Sequence, residues 1–537
     1  MRSHAPSPAR RRPWSRLAVP LAVALALGVA AVAGPAQADG DGGGVDATAA
    51  ASAAIAGPVG HEGRWLTDAD GRVLMLTGVN LVAKGALTPD GRGFGADDAD
   101  FLVANGFEAV RLGLSPDAFM PTPGQVDPAY LASYAQTVKT LTDRGLLVLV
   151  DLHQDGWGPA VCGNGFPAWM TITHGAQNTC TGFPLYYVTN PAIQAAFQSF
   201  WDNEPASDGI GLQDHVATMF GALAGAVGDD DGVLGYDILN EPWPGTTWQP
   251  CAVGAGCPDL DASGLDELHA KAAAAIRAED PTHLVFGEPY VLFNFGGAGT
   301  SIAKPGNDPA SGLSFHIYTT DPSFEPNVVD NAVDWADRTG GALLTTEFGA
   351  TNDPAVIERQ IGVVEDGLVP WMWWSYDENV VHDIRQAPTG DNVNAPVLGA
   401  LVRPHLVAVA GTPTGQDFDR ATRVLRATWS TTAPGTAPGS LTGTRDTLIR
   451  VPELTYPGGY EVEVTGGTVV SAPGSAELVV RSRRGAASVT VVVRPVSEPP
   501  TTTSTSTTST TSTSTTSTTS STTTTTQPGG LVGHGAG

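Results

Sequence analysis

Eight short runs of β-forming residues, each followed by room for a helix, recur between Arg64 and Ala410. They are Val73–Val79, Ala109–Leu112, Leu146–Leu152, Val233–Leu239, Leu284–Gly287, Leu313–Ile317, Ala342–Thr346 and Pro370–Trp374. Several are apolar at every position instead of at alternate ones, as parallel strands covered on both faces are. Helical stretches such as Asp97–Ala104, Pro128–Arg144, Leu265–Glu279 and Pro354–Gly367 fall between them. Repeated strand–helix units of this kind predict an α/β fold, a (β/α)8 TIM barrel.

The chain changes character on both sides of that segment. Arg2, Arg10, Arg11, Arg12 and Arg16 precede an apolar run from Leu17 to Ala33, and Ala36-Gln37-Ala38 follows it. A basic head, a short apolar core and small residues predict an export leader over residues 1–38, hence a secreted protein. A Gly/Ala-rich linker is expected at 39–60 and the barrel at 61–410. From 411 to 497, β-rich segments such as Ala421–Trp429, Thr447–Val451 and Ala487–Val493 alternate with Pro-Gly turns, which predicts a small antiparallel β-sandwich. Residues 498–537 are dominated by Thr and Ser, too poor in apolar side chains to build a core.

Charge narrows the partners. The formal net charge is −27, and it falls to −32 without the five leader arginines. Phosphate binding needs clustered Lys and Arg, so no nucleic-acid partner is expected. Cys162, Cys180, Cys251 and Cys257 fit two disulfides in an oxidising compartment, most simply as the local pairs Cys162–Cys180 and Cys251–Cys257. No histidine stands near them at ligand spacing, so neither metal nor other cofactor is expected. A monomer is expected.

Polar residues gather where the apolar runs end, which is where barrel enzymes keep their sites. Arg111 ends the second run. His153 and Asp155 follow the third, in Asp151-Leu-His-Gln-Asp155. Asn240 and Glu241 follow the fourth, His316 and Tyr318 end the sixth, Glu347 follows the seventh, and Trp374 closes the eighth. Two carboxylates facing each other across a barrel mouth suit glycoside hydrolysis. One protonates the leaving oxygen, and the other attacks or steadies an oxocarbenium-like carbon. Arg111 would set a positive charge beside Glu347, and the Tyr318 hydroxyl would orient it. Asn240 would hold a sugar 2-hydroxyl and Trp374 would floor a sugar ring. Tyr236, Asp237 and Glu288 read either as support for the site or as structure. The long stretch between the third and fourth runs carries Trp157, Trp169 and Trp201 and is expected to wall a cleft. Phe94, Phe119, Met120, Trp243, Trp248, Phe293 and Phe295 fit a lipid-receiving rim and fit a core equally well.

The ordered set Arg111, His153, Asn240-Glu241-Pro242, His316-x-Tyr318, Glu347 and Trp374 resembles glycoside hydrolase family 5, a retaining (β/α)8 family. The resemblance implies Glu241 as acid/base and Glu347 as nucleophile. Gly78-Val-Asn-Leu-Val-Ala-Lys84, Asp151-Leu-His-Gln-Asp155 and Gly235-Tyr-Asp-Ile-Leu-Asn-Glu-Pro-Trp243 look like the endoglycoceramidase branch. So do Arg403-Pro-His405 and Tyr456-Pro-Gly-Gly-Tyr460, although His405 stands where that branch leads one to expect Tyr. The branch implies cleavage between glycan and ceramide, with Lys84, His153 and Asp155 on the first sugar. It also implies a glycolipid or oligosaccharide substrate and transient contact with a micelle or membrane surface. The alternatives are an endo-β-1,4-glucanase or mannanase, a glucosylceramidase, and a non-catalytic glycan-binding surface protein.

Overall fold

The apolar runs close on themselves. Thr77–Leu81, Ala109–Leu114, Leu147–Leu152, Val233–Asp237, Leu284–Gly287, Ser311–Ile317, Ala342–Phe348 and Trp371–Trp373 form eight parallel barrel strands in chain order, the eighth pairing with the first. The structure is a computed structural model that describes residues 55–496 apart from 85–87, 91–92, 320 and 437–442. The expected leader, most of the linker and the Thr/Ser tail lie outside the described residues.

Side-chain alternation explains why the strands read as continuous apolar runs. In the second strand Val110, Leu112 and Leu114 join the core shared with the outer helices, while Ala109 joins the barrel interior. The third strand splits likewise, with Val148, Val150 and Leu152 outside and Leu147 and Leu149 inside. The lower interior is filled by Leu234, Leu284, Phe286, Leu344 and Met372. Two or three residues further along these strands the inward residues turn polar: Arg111, Asp151, Asp237, Glu288 and Glu347, all buried. The barrel is thus an oil-filled cup with an ionic mouth.

Two bulges set which residues reach that mouth. The pairing of the third and fourth strands slips between Val148 and Leu149, which meet Val233 and Gly235. Only glycine fits there, because a Cβ on Gly235 would lie 2.3 Å from the Leu284 carbonyl oxygen. The seventh strand slips against the sixth between Thr345 and Glu347. The Thr346 carbonyl accepts Nδ2 of Asn80 at 2.9 Å. Each slip reverses the alternation that follows, and this turns Asp237 and Glu347 inward.

A two-sheet sandwich follows the barrel and also seals its floor. One sheet runs Gly60–Glu62, Trp65–Thr67, Val73–Leu74, His405–Val409, Asp446–Arg450, Glu477–Ser482 and Gly467–Val469. The other runs Thr412–Asp419, Val424–Ser430, Ser488–Pro495 and Tyr460–Thr465. The expected first barrel strand Val73–Val79 is therefore two strands in two sheets. Of the residues expected within the barrel segment, 61–62, 65–67, 73–74 and 405–409 pair in the sandwich instead. Val407, Ala408 and Leu448 pack directly on the barrel's inner residues, so burial under the cup offsets the loss of those strands to a second sheet.

The two expected disulfides are present, Cys162–Cys180 and Cys251–Cys257. Trp157, expected in a cleft wall, is instead buried against Phe166, Phe197 and Phe200. Trp201 is buried too, and its Nε1 donates to the Trp243 carbonyl at 2.8 Å. The long segment packs into the core shared by the barrel strands and outer helices, because helix Pro191–Trp201 presents its apolar face to it.

A buried ionic knot ties the floor together. Glu108 lies 3.0 Å from His405 Nε2 and 3.2 Å from Arg450 Nε, and accepts Thr77 Oγ1 at 2.9 Å. Burial pushes this carboxyl up, but the charges of His405 and Arg450 outweigh it and hold it below its usual value. A carboxyl lowered in the folded state adds stability above its unfolded value, about 4.3, and loses it as pH falls through the lower folded value. Glu108→Gln is expected to cost about 3 kcal/mol at pH 7 and to flatten the acid side of the stability profile. Urea unfolding between pH 3 and pH 7 checks both, and an unchanged midpoint at pH 7 would refute the knot's role.

Candidate active site

The ionic mouth is organised by one side chain. Arg111 is fully buried, and its guanidinium donates to Asp237 at 3.0 Å, Asp151 at 2.9 Å, Glu288 at 2.9 Å and Glu347 at 2.5 Å. It also donates to the amide oxygens of Asn240 at 2.9 Å and Asn80 at 3.2 Å. These partners come from the first, third, fourth, fifth and seventh strands or the residues just beyond them, so the planar fork ties together five strand ends.

Glu347 accepts a second hydrogen bond from the Tyr318 hydroxyl at 3.0 Å. Burial and the Glu347 charge push Tyr318 far above the usual tyrosine range, so it remains a donor. Glu241 faces it across the mouth. Oε1 of Glu241 accepts Asn294 Nδ2 at 3.2 Å and lies 2.9 Å from His316 Nδ1. One oxygen of Glu241, one of Glu347 and a nitrogen of His316 all lie within 4.8 Å of one another. Glu241 itself has φ 44°, and Gln154 Nε2 bonds the carbonyls of Asn240 and Glu241 at 2.7 and 3.0 Å. A left-handed conformation outside glycine survives only where the surroundings impose it.

A second corner adjoins this pair. His153 Nδ1 lies 2.8 Å from Asp151, which links it to Arg111. Asp155 meets Lys84 Nζ at 3.0 Å, lies 3.6 Å from His153 Nε2 and accepts Asn164 Nδ2 at 2.8 Å. Trp374 stacks on the His153 ring with centroids 5.3 Å apart, and Lys84 Nζ lies 4.3 Å from the indole centroid. Trp374 Nε1 donates to Glu378 at 3.1 Å. Trp371 packs on Phe348 and Trp373 is buried, so of the three tryptophans Trp374 is the one in this corner. All ten residues expected at the site therefore lie in one connected network.

Comparison with known proteins gives this network a lineage. Residues 67–380 match the model of the cellulase family, glycosyl hydrolase family 5, and residues 403–493 match the glycoside hydrolase family 5 C-terminal domain. The chain belongs to glycosyl hydrolase family 5. It is 34% identical over 466 residues to endoglycoceramidase I of Rhodococcus hoagii, covering 80% of this chain and 87% of that one. It is 26% identical to an endoglycoceramidase of Hydra vulgaris, covering 76% and 83%. Among solved structures, endo-glycoceramidase II from Rhodococcus sp. superposes with a TM-score of 0.65 at 28% identity, over 81% of this chain and 100% of that one. The protein is an endoglycoceramidase-like family 5 hydrolase.

The family 5 site is tuned by its own charges. Burial opposes a charge on His153, but Asp151 and Asp155 raise it to about 9. Burial opposes a charge on His316 too, and Glu288, Glu347 and Glu241 raise it well above 6.5. Glu241, His316 and Glu347 are the one trio among the described residues spaced to share a cation. They do not fit one: both Glu347 oxygens are already engaged, by Arg111 and by the Tyr318 hydroxyl, and the Arg111 charge stands beside the trio.

Asn80, Gln154 and Asn294 were not singled out from sequence. Asn294 lies outside any strand, in the turn Val291–Phe295, and carries no pattern that marks it. Of the residues offered for a lipid rim, Phe94, Phe119, Met120, Trp243 and Phe293 are buried in the core. Phe119 packs on Tyr130, Phe293 on Phe315, and Trp243 between Tyr187 and Trp248. Phe295 alone of the seven is exposed, with Trp248 partly so.

Asp155→Asn removes the anion shared by Lys84 and His153. It is expected to raise KM for an aryl β-glycoside about tenfold or more, since a hydrogen bond to a charged group contributes about 1.5–3 kcal/mol. His153 should then lose its proton at lower pH than about 9, because one of the charges raising it is gone. Steady-state kinetics from pH 6 to pH 10 read both effects, and an unchanged KM would remove Asp155 from the binding corner.

Proposed function

We propose that this is a secreted, retaining endoglycoceramidase that cuts the β-bond between glycan and ceramide in glycosphingolipids. The observation that carries the mechanism is the 4.8 Å limit on the separation of the Glu241 and Glu347 oxygens. Retaining pairs stand about 5–5.5 Å apart and inverting pairs about 6.5–9.5 Å, which leaves room for a water. In this reading Glu347 attacks the anomeric carbon and forms a glycosyl ester as the bond to the aglycone breaks. Glu241, protonated, gives its proton to the departing oxygen. Water then loses a proton to Glu241 and attacks the ester, which frees the sugar with its configuration retained and restores Glu347.

The substrate class rests on two supports. Solved forms of endo-glycoceramidase II from Rhodococcus sp. include a ganglioside GM3 complex and a lactosyl-enzyme intermediate. On this chain, Val253, Phe295 and Phe324 are 63%, 41% and 43% exposed. Their loops are joined, because Gly254 N–H donates to the Gly297 carbonyl at 3.1 Å and a Cβ on Gly296 would lie 3.2 Å from Phe324 Cβ. Phe295 adjoins Asn294, which bonds Glu241. In this reading these exposed apolar side chains serve the ceramide and make transient contact with a lipid surface. Among the described residues no helix is long and apolar enough to cross a membrane. Two disulfides and the leader-like first residues support export. One chain supplies every group of the site, so a monomer suffices.

Hydrolysis of a ganglioside, a glucosylceramide and soluble cellulose and mannan oligomers in detergent tests this reading. Release of an intact glycan from the ganglioside is expected, and activity on the oligomers alone would overturn the lipid assignment. Glu347→Gln and Glu241→Gln should each lower turnover of glycolipid about 100-fold or more, with thermal midpoints close to wild type. The first sugar product should keep its anomeric configuration by NMR, and an inverted product would end the covalent scheme.

A further inference from the structure

Glu288 stands just beyond the fifth barrel strand and is buried. Its Oε2 accepts the backbone N–H of Glu241 at 2.9 Å. Its Oε1 accepts Arg111 at 2.9 Å and lies 3.2 Å from His316 Nε2. The other nitrogen of that imidazole is the one 2.9 Å from Glu241 Oε1. A single carboxylate therefore holds Glu241 by a hydrogen bond to its backbone amide and faces, as a charge contact without an aligned hydrogen bond, the histidine that meets its side chain.

The surroundings give Glu288 little freedom to do anything else. Arg111 faces it from the second strand, Asp237 from the fourth and His316 from the sixth. Glu347 lies 3.6 Å from the same imidazole. Behind it the strand end cannot retreat, because a Cβ on Gly287 would already fall 2.5 Å from the His269 ring. Burial pushes the Glu288 carboxyl up to about 7, with His316 and Arg111 opposing and Asp237 adding to the rise. Among the charges that raise His316, Glu288 contributes most.

We propose that Glu288 is a positioning residue for the acid/base step, holding the Glu241 carboxyl at the leaving-group oxygen through His316 and the Glu241 amide. The inference rests on the reading of Glu241 as acid/base. Glu288 touches no reacting atom. It supplies the acceptor that holds Glu241 at φ 44° and, in its ionised form, the negative charge that faces His316.

The test compares two β-lactosides in kcat/KM, which reports the step that forms the glycosyl ester. An octyl aglycone needs a proton to leave and a 2,4-dinitrophenyl aglycone does not. Glu288→Gln is expected to lower kcat/KM for the octyl lactoside about tenfold or more beyond its effect on the dinitrophenyl lactoside, which reports what the change costs through Arg111 and Glu347. In a Glu241→Gln background the same change should lower the octyl lactoside by no more than it lowers the dinitrophenyl lactoside, because the two act as a unit. Equal losses on both aglycones, or losses that multiply, would overturn the proposal. Should Glu288→Gln fail to fold, Glu288→Asp keeps the charge one methylene short and must give the same split. A Glu241→Gln enzyme without any split by aglycone would instead sink the acid/base reading on which this rests.

Discussion

A cation locked inside the barrel among four carboxylates is the constraint on which the rest of this site depends. Arg111 cannot shed its charge, and its acidic partners hold it well above its ordinary value despite complete burial. Asp151, Asp237, Glu288 and Glu347 all lie within 3.0 Å of its guanidinium nitrogens. One positive charge does not balance four negative ones, and the surplus shapes what surrounds it. Burial lifts Asp237 and Glu288 above the usual carboxylate range, and His316, His153 and Lys84 bring further positive charge to the rim. The mouth is a preorganised polar environment built before any substrate arrives, the arrangement that best stabilises developing charge.

That environment is aimed by backbone irregularities. The inner faces of the strands alternate strictly until the slips at Gly235 and at Thr345/Glu347. Without the second slip Thr346 would point at Arg111 and Glu347 would point into the helical shell. Asn80 stabilises the irregular turn by taking the Thr346 carbonyl while its own oxygen accepts Arg111. The same side chain therefore satisfies the bulge and helps hold the guanidinium, so the correct aim of Glu347 and the correct seat of Arg111 form together.

The scaffold below is built for stiffness. A sandwich sheet packs under the cup, and Glu108 joins the first barrel strand, His405 and Arg450 through buried polar contacts. His405 marked a departure from the branch pattern in sequence, and its place in this knot gives it a structural partner far from the mouth. Above, helix Pro191–Trp201 and its aromatic neighbours brace the loop that carries His153 and Asp155. Rigid floor and braced loops hold side chains to the tolerances that a two-carboxylate reaction demands.

The sequence by itself determined the eight-fold repeat and the position of each chemical group along it. Apolar runs and amphipathic stretches are local patterns, and residues at strand ends such as Arg111, Glu241 and Glu347 stand where those patterns stop. Both local cysteine pairs were equally legible, since few residues separate their members. What only the tertiary structure decided is whatever depends on pairing between distant segments. Strand register is a relation between two chains of hydrogen bonds, so neither bulge shows in one strand alone. The split of Val73–Val79 between two sheets depends on where residues 405–409 return, more than three hundred positions later. The same reason separates Phe295, left exposed, from Phe293, buried against Phe315, although two residues apart they look alike. Glu288 read as structure or support in the sequence, and only the closure of the barrel brought it to the Glu241 amide and to His316 at once.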